Sequence, residues 1–182
     1  MSRPAVFAAP QPAAVRVRPA SIDDLPAINA IVERAVMTWQ LAERVKRLSL
    51  PSYRYHAHDF VHMQLVVAED AHGTLLGVAA WDAADARDTP GGQRGLLLHG
   101  LYVDPAHQRA GVGTRLLDAA ADAARDGGYD GLLVKAQADA NGFFAARSLA
   151  RLDVVDPLRD YPHRFWLACT AAAVVNAEAG HG

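Results

Sequence analysis

Apolar and polar residues alternate through Val15-Arg16-Val17-Arg18 and stop at Pro19, the period of a strand that ends where a backbone donor is lost. From Ile22 the period changes. Ile22, Leu25, Ile28, Ile31, Val32 and Val36 recur at helical spacing, and Ser21 with Asp24 forms a near capping box at the start. A second helix is expected over residues 40–48, with Leu41, Val45 and Leu48 on one face and Pro51 interrupting it. A turn or two more is expected over residues 57–63. Residues 65–69 and 75–82 read as strands joined by a hairpin turn at Asp70-Ala71-His72-Gly73. The polar stretch 83–94, with Pro90-Gly91-Gly92, reads as loop, and residues 95–103 as a central strand. Val112, Leu116, Ala120 and Ala124 then line one side of a helix, and Arg115, Asp118, Asp122 and Arg125 the other; Gly127-Gly128 stops it. Residues 132–135 read as a fifth strand, 139–151 as a helix, and Val154-Val155 and 164–170 as the last strands.

This order, β-α-α-β-β-β-α-β-α-β-β, belongs to an α/β domain over residues 15–170. A loose leader over 1–14, carrying three prolines, and an Ala/Gly-rich tail over 171–182 flank it. At 182 residues there is room for one domain with a proper core, although alanine inflates the 51% hydrophobic content. A formal net charge of −2 gives no reason to expect a nucleic-acid partner. No uncharged window reaches membrane-spanning length, so neither a membrane partner nor an anchor is expected. Cys169, the only cysteine, excludes an intramolecular disulfide and suits the cytoplasm; it reads as a small core residue of a late strand.

The candidate chemistry begins where the central strand ends. Val103-Asp104-Pro105 turns into a short polar loop with Gly111 and Gly113, and a helix starts at once. Glycines there let the backbone approach a ligand, and the free N–H groups of Arg109, Ala110, Gly111, Val112, Gly113 and Thr114 converge with the positive end of the helix dipole. That is a phosphate cradle, to which Arg109 adds positive charge. Spacing separates the cradle types. No Gly-Lys pair exists for a Walker loop, and Leu116 occupies the third position of a dinucleotide fingerprint. What remains is Gln/Arg-x-x-Gly-x-Gly/Ala after a strand ending Val-x-Pro, matched by Gln108, Gly111, Gly113, Val103 and Pro105.

This pattern resembles the acetyl-coenzyme A loop of the GNAT superfamily of N-acetyltransferases, and the resemblance runs from Val15 to Thr170. It implies a single-domain, mixed and mostly antiparallel sheet of about seven strands, splayed between strands four and five and flanked by helices. It implies acetyl-CoA as co-substrate, with the backbone of Leu101, Tyr102 and Val103 along the pantetheine and with Gln137, Phe143 and Phe144 on the far wall. The chain departs from the family after the fifth strand. Where similar proteins carry Asn-x-x-Ala-x-x-Phe-Tyr-x-x-x-Gly-Phe, this chain has Gln137, Ala140, Phe143, Phe144, Ser148 and Leu149. Phe144 takes the place of the acidic tyrosine, leaving Ser148, Tyr161 or water to protonate the thiolate.

Acetyl transfer from a thioester to an amine also needs a base. His99 is the candidate, since it alternates with Leu101 and Val103 and should share their face. An unperturbed histidine titrates near 6.5 and relays a proton well at neutral pH; a histidine bonded within the sheet is the competing reading. Glu69 and Asp82 sit at strand ends beside turns and are weaker alternatives. Trp39, Tyr53, Tyr55 and His163 are expected to wall the acceptor pocket. His58 and His62 stand four apart with His56 nearby, but Asp59 replaces the glutamate of a zinc-protease helix and the transfer needs no metal, so none is expected. The sequence thus reads as an N-acetyltransferase acting on a primary amine of a small molecule or peptide by direct attack. The alternative is a non-catalytic acyl-CoA sensor on the same fold. A homodimer stays open.

Overall fold

A computed structural model describes residues 15–158 and 160–169. The expectations for residues 1–14 and 170–182 lie outside them. The strands are β1 (Arg16–Pro19), β2 (Gln64–Glu69), β3 (Leu75–Ala83), β4 (Gly95–Val103), β5 (Gly131–Lys135), β6 (Ala150–Leu152) and β7 (Arg164–Ala168). They form one seven-stranded sheet ordered β1-β2-β3-β4-β5-β7-β6, in which only β4 and β5 run parallel. The helices are α1 (Leu25–Met37), α2 (Glu43–Tyr53), α3 (Asp59–His62), α4 (Val112–Asp126) and α5 (Asn141–Ala145).

Two apolar layers sandwich the sheet. On one face the α1 stripe of Ile28, Ile31, Val32 and Val36 is buried against Val67, Val78, Ala80 and Tyr102. On the other, Val112, Leu116 and Ala120 of α4 pack on Leu96, Leu98, Leu132 and Val134. Each large aliphatic side chain buried here contributes about 1.5–3 kcal/mol over leaving it in water. The start of the first helical segment is fixed by Asp24, whose carboxylate accepts from the Ser21 N–H at 2.7 Å and from Arg18 Nη1 at 2.8 Å.

The sheet opens in its middle. Residues 95–98 of β4 pair with 131–134 of β5, and there the pairing stops. Beyond Leu98, β4 runs on to Val103 with β3 as its only strand neighbour among the described residues. One backbone edge of residues 101–103 is therefore left for a ligand. The β3–β4 ladder also carries a bulge: Trp81 faces Leu98, but Ala80 faces Gly100, so His99 is the extra residue.

Three expected elements differ. Pro51 does not interrupt α2, which runs through it to Tyr53, because a proline in the last turn costs a single helical hydrogen bond. The apolar positions Leu41, Val45 and Leu48 face solvent instead of the core. Residues 139–151 are not one helix: a 3-10 turn (Ala138–Ala140) leads into the short α5, and the chain reverses at Ser148, whose φ is +60°. That reversal buries Leu149 and lets Ala150–Leu152 join the sheet as β6. Val154 and Val155 are exposed and outside any strand. Among the described residues no helix is long and apolar enough to cross a membrane.

Candidate active site

The loop after β4 is held open by local backbone geometry. Asp104 accepts from the Ala106 N–H at 3.0 Å and from Arg34 Nη2 of α1 at 2.6 Å, which ties the turn to the first helix. Burial works against the Asp104 carboxylate, but the Ala106 N–H and the Arg34 guanidinium outweigh it and hold its pKa below the ordinary value. Arg109 and Gly111 both take left-handed conformations, with φ of +62° and +83°, and Gly111 is the residue before α4. The first helical bond after it runs from the Arg115 N–H to the Gly111 carbonyl at 3.1 Å. Among the described residues, the N–H groups of residues 109–114 donate to no other protein group. Six amides without a protein acceptor among the described residues thus lie at the positive end of a fifteen-residue helix.

Beside them is a cleft of about 800 Å³ lined by Leu101, Tyr102 and Val103 of β4, by Gln108, Arg109, Gly111, Gly113 and Thr114 of the loop, and by Phe143 and Phe144 of α5. A Cβ on Gly113 would stand 3.2 Å from the Phe143 ring, so the loop and α5 approach as closely as they do because that side chain is absent. Ala110 and Val112, expected with the loop, do not line the cleft: Ala110 is exposed and Val112 is buried in the core. Gln137 does not line the cleft; its Nε2 donates to the Tyr53 hydroxyl at 3.1 Å. Arg147 was not anticipated. Its guanidinium stacks on the Phe143 ring at 3.7 Å and its Nε donates to Thr114 Oγ1 at 3.1 Å, which places a cation beside the loop. The four-residue spacing from Phe143 was the one visible signal.

A second cavity of about 380 Å³ adjoins the first, and Tyr102 belongs to the walls of both. Tyr53, Arg54, Tyr55, His56, His58, Asp59, Met63 and His99 line it, together with Pro51 and Ser52. Burial raises the pKa of Tyr53, Tyr55 and Tyr102, and neighbouring phenols push each in the same direction, so all three stay protonated well past neutrality. His99 reaches this cavity by a route the strand period missed. The bulge turns Leu101 and Val103 toward the α4 side of the sheet, where they pack on that core, while His99 stays on the opposite side with Tyr102. The expectation that the three share a face is therefore corrected. Asp82 joins His99 there, with Oδ1 2.7 Å from His99 Nε2.

Other expected wall residues fall elsewhere. Trp39 lines the larger cleft and meets the Tyr53 ring edge-on at 5.0 Å. Ser148 is exposed and borders neither cavity, which removes it as the thiolate's proton donor. His163 also borders neither: its Nδ1 lies 3.0 Å from Asn141 Nδ2 and its carbonyl accepts from the Ala136 N–H, so it braces the β5–α5 junction. Tyr161 is half-exposed, with Lys135 Nζ 5.9 Å from its ring centre. His56 and His58 stack at 5.6 Å beside Asp59, whose carboxylate accepts from the His56 N–H at 2.7 Å. Among the described residues no group of three or more His, Cys, Asp or Glu side chains is placed to hold a metal ion.

A glycine-bearing loop at a helix start thus opens beside a bare strand edge, with a tyrosine-walled chamber next to it. Comparison with known proteins makes the class specific. The chain belongs to the acetyltransferase (GNAT) family, whose profile matches residues 33–151. Acetyl transfer with an acyl-CoA co-substrate is the general chemistry this membership carries. Among solved structures it is similar to the PaiA N-acetyltransferase of Thermoplasma acidophilum in complex with coenzyme A, at 15% identity and TM-score 0.65 over 84% of this chain and 96% of that one. A GNAT family acetyltransferase of Brucella melitensis in complex with acetyl-CoA gives 18% identity and TM-score 0.55 over 85% and 88%. A glucosamine N-acetyltransferase region within a fungal multi-domain β-N-acetylglucosaminidase gives 25% identity and TM-score 0.57, over 84% of this chain and 19% of that one. No curated protein sequence matches the chain significantly.

Proposed function

We propose that the protein is an N-acetyltransferase that passes the acetyl group of acetyl-CoA to a primary amine of a small molecule or peptide, by direct attack within a ternary complex. The observation that carries this reading is the pair of cavities that share Tyr102: one bounded by the anion-binding loop, the other lined by His99, whose Nε2 pairs with Asp82 behind the wall. The loop amides and Arg109 would hold the pyrophosphate, with Arg147 beside them. The bare edge of β4 would pair with the pantetheine amides and set the thioester against Tyr102. In the smaller cavity His99 accepts a proton from the incoming ammonium through water, and Asp82 fixes the orientation of its ring. The transfer requires no metal, and the charge balance calls for neither a nucleic-acid nor a membrane partner; the cytoplasm is the proposed setting.

Phe144 favours a second reading. It is buried against Phe143 and Phe165 and offers no hydroxyl, as a non-catalytic acyl-CoA sensor would allow. Incubating the protein with acetyl-CoA and a panel of primary amines, glucosamine first because of the fungal relative, and following free thiol separates the two. Thiol release above the blank with any amine supports the enzyme. Tight coenzyme A binding with no release supports the sensor, and no coenzyme A binding removes both.

A further inference from the structure

When a thioester breaks, its sulfur leaves as a thiolate that must gain a proton, and few hydroxyl groups surround the cleft among the described residues. Thr38 Oγ1 is engaged with the Ala35 carbonyl at 2.7 Å. Thr114 Oγ1 lies at the loop end and receives Arg147. The tyrosines remain, and of Tyr53, Tyr102 and Tyr161 only Tyr53 has a hydrogen-bond partner among the described residues. Gln137 Nε2 donates to its hydroxyl oxygen at 3.1 Å, from the opposite wall of the splayed sheet. The Ser49 side chain also hydrogen-bonds to this phenol in the sense that favours its ionised form, so both neighbours would stabilise the oxygen once it has given up its proton. The location also fits. Gln137 follows β5 just past the point where β4 and β5 part, and Tyr53 lies in the wall of the smaller cavity against Trp39 of the larger.

We propose that Tyr53 protonates the departing thiolate, with Gln137 as its positioning residue; this rests on the acetyl-transfer reading above. The step balances. The incoming ammonium first loses one proton to solvent by way of His99 and water; the amine nitrogen then bonds to the acyl carbon and gives up a second proton toward His99. The carbon–sulfur bond breaks with its electron pair passing to sulfur, sulfur takes the Tyr53 proton, and the phenolate recovers one from His99 through water in the shared cavity. The net result is one ammonium proton released to solvent and one proton moved from amine to thiol. A phenol, ordinarily near 10 and raised further at Tyr53 by burial, is a weaker acid than a thiol near 8.5, so donation accompanies bond cleavage and its effect is moderate.

The test is thiol release with acetyl-CoA and the best amine of the panel, alongside coenzyme A binding by calorimetry and thermal melting. Tyr53→Phe is expected to lower kcat about tenfold or more, leaving the KM for acetyl-CoA and the Kd for coenzyme A within about twofold. Gln137→Met, which keeps Tyr53 but frees its hydroxyl, is expected to lower kcat severalfold with the same constants unchanged. An unchanged kcat in Tyr53→Phe, or a fall matched by an equal loss of coenzyme A affinity, overturns the proposal. Should Tyr53→Phe fail to fold, an unchanged kcat in Gln137→Met overturns it instead. Wild-type protein that releases no thiol with any amine defeats the acetyl-transfer reading itself, and this inference with it.

Discussion

Asp82 Oδ1 lies 2.7 Å from His99 Nε2 on one face of the β3–β4 pair, and the bulge at His99 sends the next inward residues, Leu101 and Val103, to the other face. The sheet thereby separates two surfaces within five residues of one strand. Residues 101–103 border the larger cleft, and His99 lines the smaller cavity.

His99→Ala should therefore lower kcat about a hundredfold, the usual worth of a positioned base, with coenzyme A affinity unchanged. Asp82→Asn keeps the shape but weakens the orientation of the imidazole and should cost less, about tenfold. Steady-state rates across pH with the best amine decide it. A wild-type pH–rate profile in His99→Ala would remove the histidine from the mechanism.

Gly111→Glu should abolish coenzyme A binding in a protein that still folds. No atom stands within 4 Å of the new Cβ, so the change is not a steric one in the protein itself. The φ of +83° adds strain of about 1–2 kcal/mol for a non-glycine residue, and a carboxylate is placed where the six amides face their anion. Calorimetry with coenzyme A and a thermal melt give the answer. Unchanged affinity refutes the loop's assignment.

The loop and most of the fold were legible because each rests on local signals. Residues 112–126 show a clean helical stripe ending at Gly127-Gly128, and β4 begins and ends where its apolar run does. What the sequence hid is tertiary. A bulge has no fixed residue signature, so period-two reasoning placed His99 beside Leu101. The reversal at Ser148, whose φ is positive although serine has no special preference for left-handed backbone, replaced the end of the expected helix with β6. The Gln137–Tyr53 bond joins residues 84 apart, which no window along the chain can see. Arg147 resembled one more solvated arginine until the fold set it between Phe143 and Thr114.

Arg147→Ala should weaken coenzyme A binding about tenfold, with kcat at saturating acetyl-CoA little changed. The guanidinium is pre-ordered by Phe143 and by the Phe143 carbonyl at 2.9 Å, so little rotamer freedom is lost when it meets a phosphate. Because the contribution is electrostatic, the gap between variant and wild type should narrow as salt is raised. Kd values at low and high ionic strength test this, and a salt-independent deficit would mean that only the stacking on Phe143 mattered.

The last expectation concerns acid stability and follows from Asp24. The Arg18 guanidinium, bonded to it through Nη1 at 2.8 Å and Nη2 at 3.0 Å, together with the Ser21 N–H, overcomes burial and lowers its pKa from the ordinary 3.8 to about 2. The folded state thus holds this carboxylate ionised more firmly than the unfolded chain does. The stabilisation is fully present above the unfolded value and drains away as pH falls through the folded one. Asp24→Asn retains an oxygen for Ser21 but loses the charge, so it should be less stable than wild type near neutrality. The difference should shrink between about pH 4 and pH 2, where the wild-type carboxylate gains its own proton. Urea unfolding midpoints for both proteins across that range measure it. A difference that stays constant with pH would show that the ion pair with Arg18 contributes nothing and that only the hydrogen bonds at the helix start hold this corner of the fold.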